Sequence, residues 1–340
     1  MTVVNNQSIE DKKCLVAGGA GFIGSHLVEH LLNSGAQVTV LDDFATGKRE
    51  NLSFAEADER LQVIEGSILD SRNVSHAIED CELVFNLATL GVRHSIKNPI
   101  ANHKVNARGS LNLLEAARGL RTLIRYVHVS SSEVYGTARE DSIGENHTTF
   151  PHTVYGASKL AGEAYARAYN ITYGLPASII RPFNIFGPRS HFESDAGEMI
   201  PKSILRALTG NPILVFGDGS QERDFTFVSD AVEAMSKIAL ESTLIGSTIN
   251  IGAGKAISIK ALAETIIKLT PTTNKGIEYS EPRPGDLKRL LCKSDFAQRR
   301  IDYSPRVSLS QGIEEVIRWF RDNQYQWENW LNLETGKNWL

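Results

Sequence analysis

An apolar run ending at Ala17 meets three spaced glycines, Gly18, Gly21 and Gly24, in the stretch GGAGFIGSH, and a helical pattern runs from about Phe22 to Asn33. Glycines so placed permit a tight strand-to-helix turn, close approach of backbone to a pyrophosphate, and close packing of the helix on the strand. The start of that helix also turns unpaired N–H groups and the positive end of its dipole toward an anion. Asp42 ends the next apolar run, eighteen residues after Gly24. A carboxylate there accepts hydrogen bonds from the hydroxyls of an adenosine ribose and repels a 2′-phosphate, which points to NAD rather than NADP. Lys48 and Arg49, a few residues on, are the features that argue for NADP.

The same alternation continues through the first half of the chain. Short β-rich runs at 14–17, 38–41, 61–64, 83–87 and 124–129 are separated by helical or polar segments. Runs this apolar predict strands buried on both faces, as in a parallel sheet with crossover helices. Residues 178–181 and 248–251 read as two further strands. After Asn184, Gly and Pro crowd at 187–188, 217–219 and 282–285, the texture of a loop-rich lobe. The expected fold is α/β, a Rossmann-type doubly wound parallel sheet with an interleaved smaller C-terminal substrate-binding lobe. Residues 1–184 plus about 230–272 would form the NAD-binding domain, 185–229 and about 273–330 the lobe, and 331–340 a tail. Trp319, Trp327, Trp330 and Trp339 read as a terminal helix packed on the core followed by that tail.

Composition narrows the classes. The chain has 340 residues, 41% of them hydrophobic and 22% charged, so a sizeable core is available. A net charge of −4 leaves no basic footprint for nucleic acid or an anionic membrane. Three cysteines, Cys14, Cys81 and Cys292, show no disulfide or metal-ligand spacing, so no metal site is expected. The N-terminus lacks the apolar core of a signal peptide, and no apolar run approaches the ~18 residues of a membrane span, so a cytoplasmic protein is expected.

Tyr155 and Lys159 in VYGASK stand four apart, on one face of a helix. An ammonium beside a phenol favours the phenolate and can bring its pKa down from about 10, making it a usable base for a sugar hydroxyl. The run at 124–129 leads directly into Ser130, Ser131 and Ser132. The carboxyl end of a parallel strand is where open α/β sheets bind ligands, so Ser131 is placed to hold the hydroxyl that Tyr155 deprotonates.

With GGAGFIG, LDDFATG, NLAT, SSSEVYG, YGASK, RPFNIFGPR, GDGSQERDFTFVSD, NIGAG and EPRPGD in this order, nearly the whole chain resembles the extended short-chain dehydrogenase/reductase family of nucleotide-sugar epimerases, dehydratases and decarboxylases. The resemblance implies NAD held by Gly18, Gly21, Phe22, Ile23, Gly24 and Asp42, with Ile68, Leu87, Ala88 and Asn106 along its path and Tyr155 and Lys159 at the nicotinamide ribose. Ser67 stands where the family usually carries an aspartate for the adenine amino group. On the substrate side it implies Ser132, Asn184, Arg189, Met199 and Lys202, with Arg223 and Arg283 clamping a diphosphate, UDP being the favoured carrier. It also implies a homodimer paired through 98–118 and 155–173, with Ala107, Leu111 and Leu114 in the seam. Arg93 and His94, in GVRHSIKNP after the fourth strand, lie on a loop that could reach the sugar, but they read more readily as plain loop charges.

The family chemistry begins by oxidising a sugar hydroxyl, usually at C4. A 4-epimerase needs no further base, whereas a 4,6-dehydratase needs a carboxylate near C5 and C6. Glu133, in SSSEVYG and close in chain position to Ser131, offers such a carboxylate, which favours a 4,6-dehydratase type of reaction, the plain alternative being a structural partner for backbone or an arginine; a UDP-sugar 4-epimerase and then a UDP-glucuronate decarboxylase are the other reactions. A catalytically silent NAD-binding regulator would be expected to lack Ser131, Tyr155 or Lys159, and all three are present.

Overall fold

A computed structural model describes residues 8–193, 196–271, 275–283 and 286–334. Six strands fill the first half: β1 (Lys13–Ala17), β2 (Gln37–Asp42), β3 (Leu61–Glu65), β4 (Leu83–Asn86), β5 (Arg125–Val129) and β6 (Ala177–Pro182). Four short strands follow, β7 (Ile185–Phe186), β8 (Ile213–Phe216), β9 (Glu222–Asp224) and β10 (Thr226–Phe227), and then β11 (Thr248–Ile251). The last three are β12 (Ala256–Ser258), β13 (Ile277–Ser280) and β14 (Arg289–Leu290). The main sheet runs β3-β2-β1-β4-β5-β6-β11 with every neighbour parallel. This is the doubly wound Rossmann arrangement, and its order reverses between β1 and β4, opening a crevice at the carboxyl ends there.

Successive side chains of a strand point to opposite faces, and here both faces are covered. Val16, Val40, Phe85, Val127 and Ile180 pack under the helices Phe22–Asn33 and Val228–Leu240. Leu15, Leu41, Val84, Tyr126 and Ile179 pack under Ser71–Ala77, Ser110–Arg118 and Val154–Tyr173. The exception is β3, read from the sequence as doubly buried. It lies at the sheet edge, where Gln62 and Val63 are exposed.

The other strands form three small sheets, β7 with β10, β8 with β13, and β12-β9-β14. Trp319, Trp327 and Trp330 pack against the large core, while Trp339 lies outside the described residues. Residues 331–333, expected as tail, complete the helix Trp327–Leu333. The expected dimer seam also needs correction. Ala107 and Leu114 are 1% and 0% exposed within one chain, Leu114 in the core beside Val84 and Tyr126, so neither is available to a second subunit.

The helix Val154–Tyr173 is fixed at its start by Thr153, whose side chain accepts from the Gly156 N–H, and ends at Gly174 in the left-handed region. One turn after Lys159, Glu163 carries a fully buried carboxylate. It takes a bidentate pair from Arg181 on β6 at 2.8 and 2.6 Å, the Ser130 hydroxyl at 2.6 Å and Arg167 at 2.8 Å. Burial works to raise its pKa, but the bonds and charge of Arg181 outweigh burial and hold it below the ordinary value. Glu163→Gln would leave Arg181 buried without its counter-charge, and such losses cost about 3 to 5 kcal/mol. Denaturant unfolding of this variant should show a drop of that order; a change within about 0.5 kcal/mol, typical of surface sites, would contradict the assignment.

Candidate active site

A cleft of about 520 Å³ opens along the carboxyl ends of β1, β2, β4, β5 and β6 and extends to β8 and β9. Its first part is built by the glycine loop. Gly18 has φ +80°, and a Cβ there would stand 2.7 Å from the Ala88 nitrogen. A side chain on Gly24 would run into the carbonyl oxygen of Gly18, so Gly24 sets how closely the helix seats. Gly21 caps the helix Phe22–Asn33 without any side-chain bond, leaving its first N–H groups facing the cleft. Asp42, 7% exposed, accepts the N–H of Ala20 and of Phe44, both at 2.9 Å, and burial raises its carboxyl against those bonds. Lone pairs remain on both oxygens for ribose hydroxyls. Phe22, Ile23, Ile68, Leu87 and Ala88 complete this wall. A loop kept clear by glycine, a helix start with open donors and a carboxylate at the far rim fit NAD.

Two residues expected along the cofactor path lie elsewhere. Ser67 is not on the wall; its hydroxyl accepts the Leu69 N–H, while Gly66 and Ile68 on either side face the cleft. Asn106 sits behind the wall in the π-helical turn Lys104–Gly109. Its Oδ1 accepts from the Leu90 N–H and the Thr89 hydroxyl, and its Nδ2 donates to the Leu90 carbonyl. It therefore shapes the loop Thr89–Leu90–Gly91, which does line the cleft.

Ser131, Tyr155 and Lys159 meet at the middle. Ser131 accepts the Glu133 N–H at 3.2 Å and hydrogen-bonds the Tyr155 phenol. The Lys159 ammonium donates to the Val129 carbonyl at 2.8 Å. Burial pulls Lys159 down to about 8 against the attraction of Glu163. The expected lowering of the Tyr155 pKa is not found in the protein alone. Burial pushes it up to about 12, opposed by Ser131, and Lys159 turns its charge toward Val129 and Glu163.

The far part of the cleft is charged. Ser132, Glu133, Asn184, Met199, Lys202, Arg223 and Arg283 all line it. Arg223 and Arg283 share one oxygen of Asp286, each at 2.7 Å, which holds the two guanidinium groups side by side. Burial raises the Glu133 pKa against the pull of Arg283, Arg223 and Arg93. Arg189 does not reach this site. It points back to the glycine-loop helix, paired with Glu29 and His26, and donates to the Asn51 carbonyl at 3.1 Å. Its backbone is in the left-handed region, at φ +63°. Arg93, read from the sequence as a loop charge, lies on the wall near Glu133 and Glu198. Glu198, Asp286 and Arg206 also line the cleft and were not singled out by sequence. The one legible signal was the Arg-x-x-Asp spacing of Arg283 and Asp286.

Fold and cleft define a doubly wound dinucleotide enzyme with a second, cation-rich compartment for an anionic substrate. The family model described as GDP-mannose 4,6 dehydratase matches residues 15–316. A UDP-N-acetyl-alpha-D-glucosaminuronate decarboxylase of Bacillus cytotoxicus is 36% identical over 331 residues, 92% of this chain and 98% of the relative. A UDP-glucose 4-epimerase of Mycolicibacterium smegmatis is 35% identical, over 91% of this chain and 99% of its own. A dTDP-glucose 4,6-dehydratase of Streptomyces venezuelae, solved with NAD bound, superposes with a TM-score of 0.87 at 30% identity, over 94% and 99% of the two chains. The chain belongs to the GDP-mannose 4,6-dehydratase family of extended short-chain dehydrogenase/reductases. It is an NAD-dependent nucleotide-sugar modifying enzyme.

Glu198 gives a pH test. Burial, opposed by Arg93, raises its pKa from 4.5 to about 7. A carboxyl raised on folding favours the folded state only while protonated, so its contribution is present below the unfolded value and is lost as pH rises through about 7. Glu198→Gln mimics the protonated form. Its Tm should match wild type near pH 4 and exceed it at about pH 8; equal melting at both would contradict the shift.

Proposed function

We propose that the enzyme carries out an NDP-hexose 4,6-dehydratase type of reaction, with UDP the favoured carrier. The observation that supports this most is Glu133, a carboxylate with raised pKa on the cleft wall, two residues from Ser131 and close enough to Tyr155 to raise its pKa. Ser131 holds the C4 hydroxyl of the sugar and Tyr155 takes its proton. Lys159 keeps the site electropositive. NAD, which the glycine loop at Gly18, Gly21 and Gly24 and the Asp42 carboxylate would hold, would supply the hydride acceptor for C4 and the hydride donor for C6. Glu133 takes the proton from C5, made acidic by the neighbouring ketone, and as the resulting acid protonates the departing C6 hydroxyl, so that one water is lost; the proton that Tyr155 took from the C4 hydroxyl balances the solvent-exchangeable one that C5 regains when hydride reaches C6. Asp286 aligns Arg223 and Arg283 for the diphosphate, which guanidinium forks meet bidentately.

The second reading is 4-epimerisation, favoured by the completeness of Ser131, Tyr155 and Lys159 without Glu133 and by the Mycolicibacterium relative. Arg93, a cation beside Glu133, would suit a sugar carboxylate and hence decarboxylation. Product mass with UDP, GDP, CDP and dTDP sugars separates the three as loss of water, no change and loss of CO2.

Two further proposals concern the setting. Among the described residues no helix is long and apolar enough to cross a membrane, and all three cysteines are free and buried, which suits a reducing cytoplasm. Exposed Ile100 and Ile171, on the two segments expected to pair, offer apolar contacts for a homodimer.

Glu133→Gln keeps size and hydrogen bonding but removes proton transfer, a contribution of about 10² to 10⁴ in rate. Reduced nicotinamide should accumulate with substrate while product and C5 deuterium incorporation collapse. Turnover within a few-fold of wild type, with no C5 deuterium in either protein, would select the epimerase. Tyr155→Phe should abolish the first oxidation in both cases.

A further inference from the structure

The segment after residue 316 lies beyond the family match, yet it contacts two side chains of the cleft wall. The helix Leu309–Asp322 leads through a short turn to the helix Trp327–Leu333, and this strap is anchored by aromatic packing. Trp330, 8% exposed, stacks on Trp319 with ring centres 5.3 Å apart and planes 11° apart, and meets Phe192 at 4.8 Å. The indole N–H of Trp327 donates to the Phe320 carbonyl at 2.7 Å. Glu334, directly after the helix, therefore has a fixed position.

Its carboxylate, 3% exposed, lies 2.9 Å from Lys202 Nζ and 2.9 Å from Arg206 Nη1. Both cations stand on the cleft wall, one turn apart on the helix Met199–Leu208. Arg206 is held a second time, its Nε donating to the Pro212 carbonyl at 2.7 Å. Around them the wall is formed by Met199, Leu214, Phe216 and Phe225. Apolar and aromatic surface edged by cations suits a flat base with carbonyl oxygens on a charged ribosyl diphosphate.

We infer that Glu334 is a positioning residue for the nucleotide part of the substrate, holding Lys202 and Arg206 in place so that the C-terminal strap is part of the substrate site. Long flexible cations lose conformational freedom when a ligand orders them, and that loss weakens binding. A buried carboxylate that has already ordered both heads removes the loss before the nucleotide arrives. It also keeps two adjacent cations from repelling each other on the wall. The inference rests on the nucleotide-sugar reading of the cleft and is independent of which reaction follows.

The test uses the full chain with NAD bound, titrated calorimetrically with UDP, GDP, CDP and dTDP, and takes whichever the wild type binds most tightly. Glu334→Gln should weaken that nucleotide on the order of ten-fold and raise the KM of its sugar to match, with kcat and NAD affinity within about two-fold. Glu334→Asp should recover part of the loss. In an Arg206→Gln background the Glu334→Gln change should add little, because the two residues act as one unit. Unchanged or tighter nucleotide binding in Glu334→Gln overturns the inference, as does a parallel loss of NAD affinity, which would mark a general packing role. If Glu334→Gln does not fold, Arg206→Lys takes its place: it should weaken the nucleotide and spare NAD, and equal affinity overturns the inference. A wild type that binds none of the four nucleotides would overturn the nucleotide reading itself along with this one.

Discussion

Glu163 is the carboxylate on which the reactive geometry rests. It lies one turn beyond Lys159 on the helix that also carries Tyr155, and its partners come from two different strands. Arg181 ties it to β6, and Ser130 ties it to the end of β5, where the chain enters Ser131 and Glu133. The helix bearing Tyr155 and the strand end leading into Ser131 are thus locked to one buried charge. The same charge favours the protonated form of Lys159, which burial would otherwise suppress. A site whose groups must stay within hydrogen-bond reach needs such support, since small displacements cost large factors in rate.

Much of this was legible in the residues, and the misses share a cause. The glycine spacing placed a helix from about Phe22 to Asn33, where the structure has it, because the backbone requirements at Gly18 and Gly24 are local. Ser131, Glu133, Tyr155 and Lys159 meet because a parallel sheet delivers every strand's carboxyl end to one edge, and that topology follows from the alternation of strand and helix. Arg189 was misplaced because its partners, Glu29, His26 and the Asn51 carbonyl, lie more than a hundred residues away in the chain and cannot be read from its neighbours. Arg93 was legible only as a charge on a segment able to reach the sugar, and Glu198 not at all, because each joins the cleft wall through long-range packing.

The electrostatics divide the cleft by task. Around Tyr155 the protein alone makes ionisation difficult, with burial pushing the phenol up and Lys159 engaged elsewhere. A phenol so placed stays protonated until a positive charge comes near, which confines base strength to the complex that needs it. Further out, Arg93, Arg223 and Arg283 surround Glu133 and hold its raised pKa in check. Burial and the three guanidinium groups thus act in opposite directions on the carboxyl that the proposed reaction uses at C5 and C6.

The central claim is that hydride leaves a sugar carbon held by Ser131 and Tyr155. The most direct measurement compares turnover of a nucleotide sugar carrying deuterium at C4 with the unlabelled compound, while following the absorbance of reduced nicotinamide in a single turnover. A slower rise of that absorbance with the labelled sugar, and its loss before product leaves, is the predicted result. Product formation with no transient reduced nicotinamide and no effect of the label would contradict it.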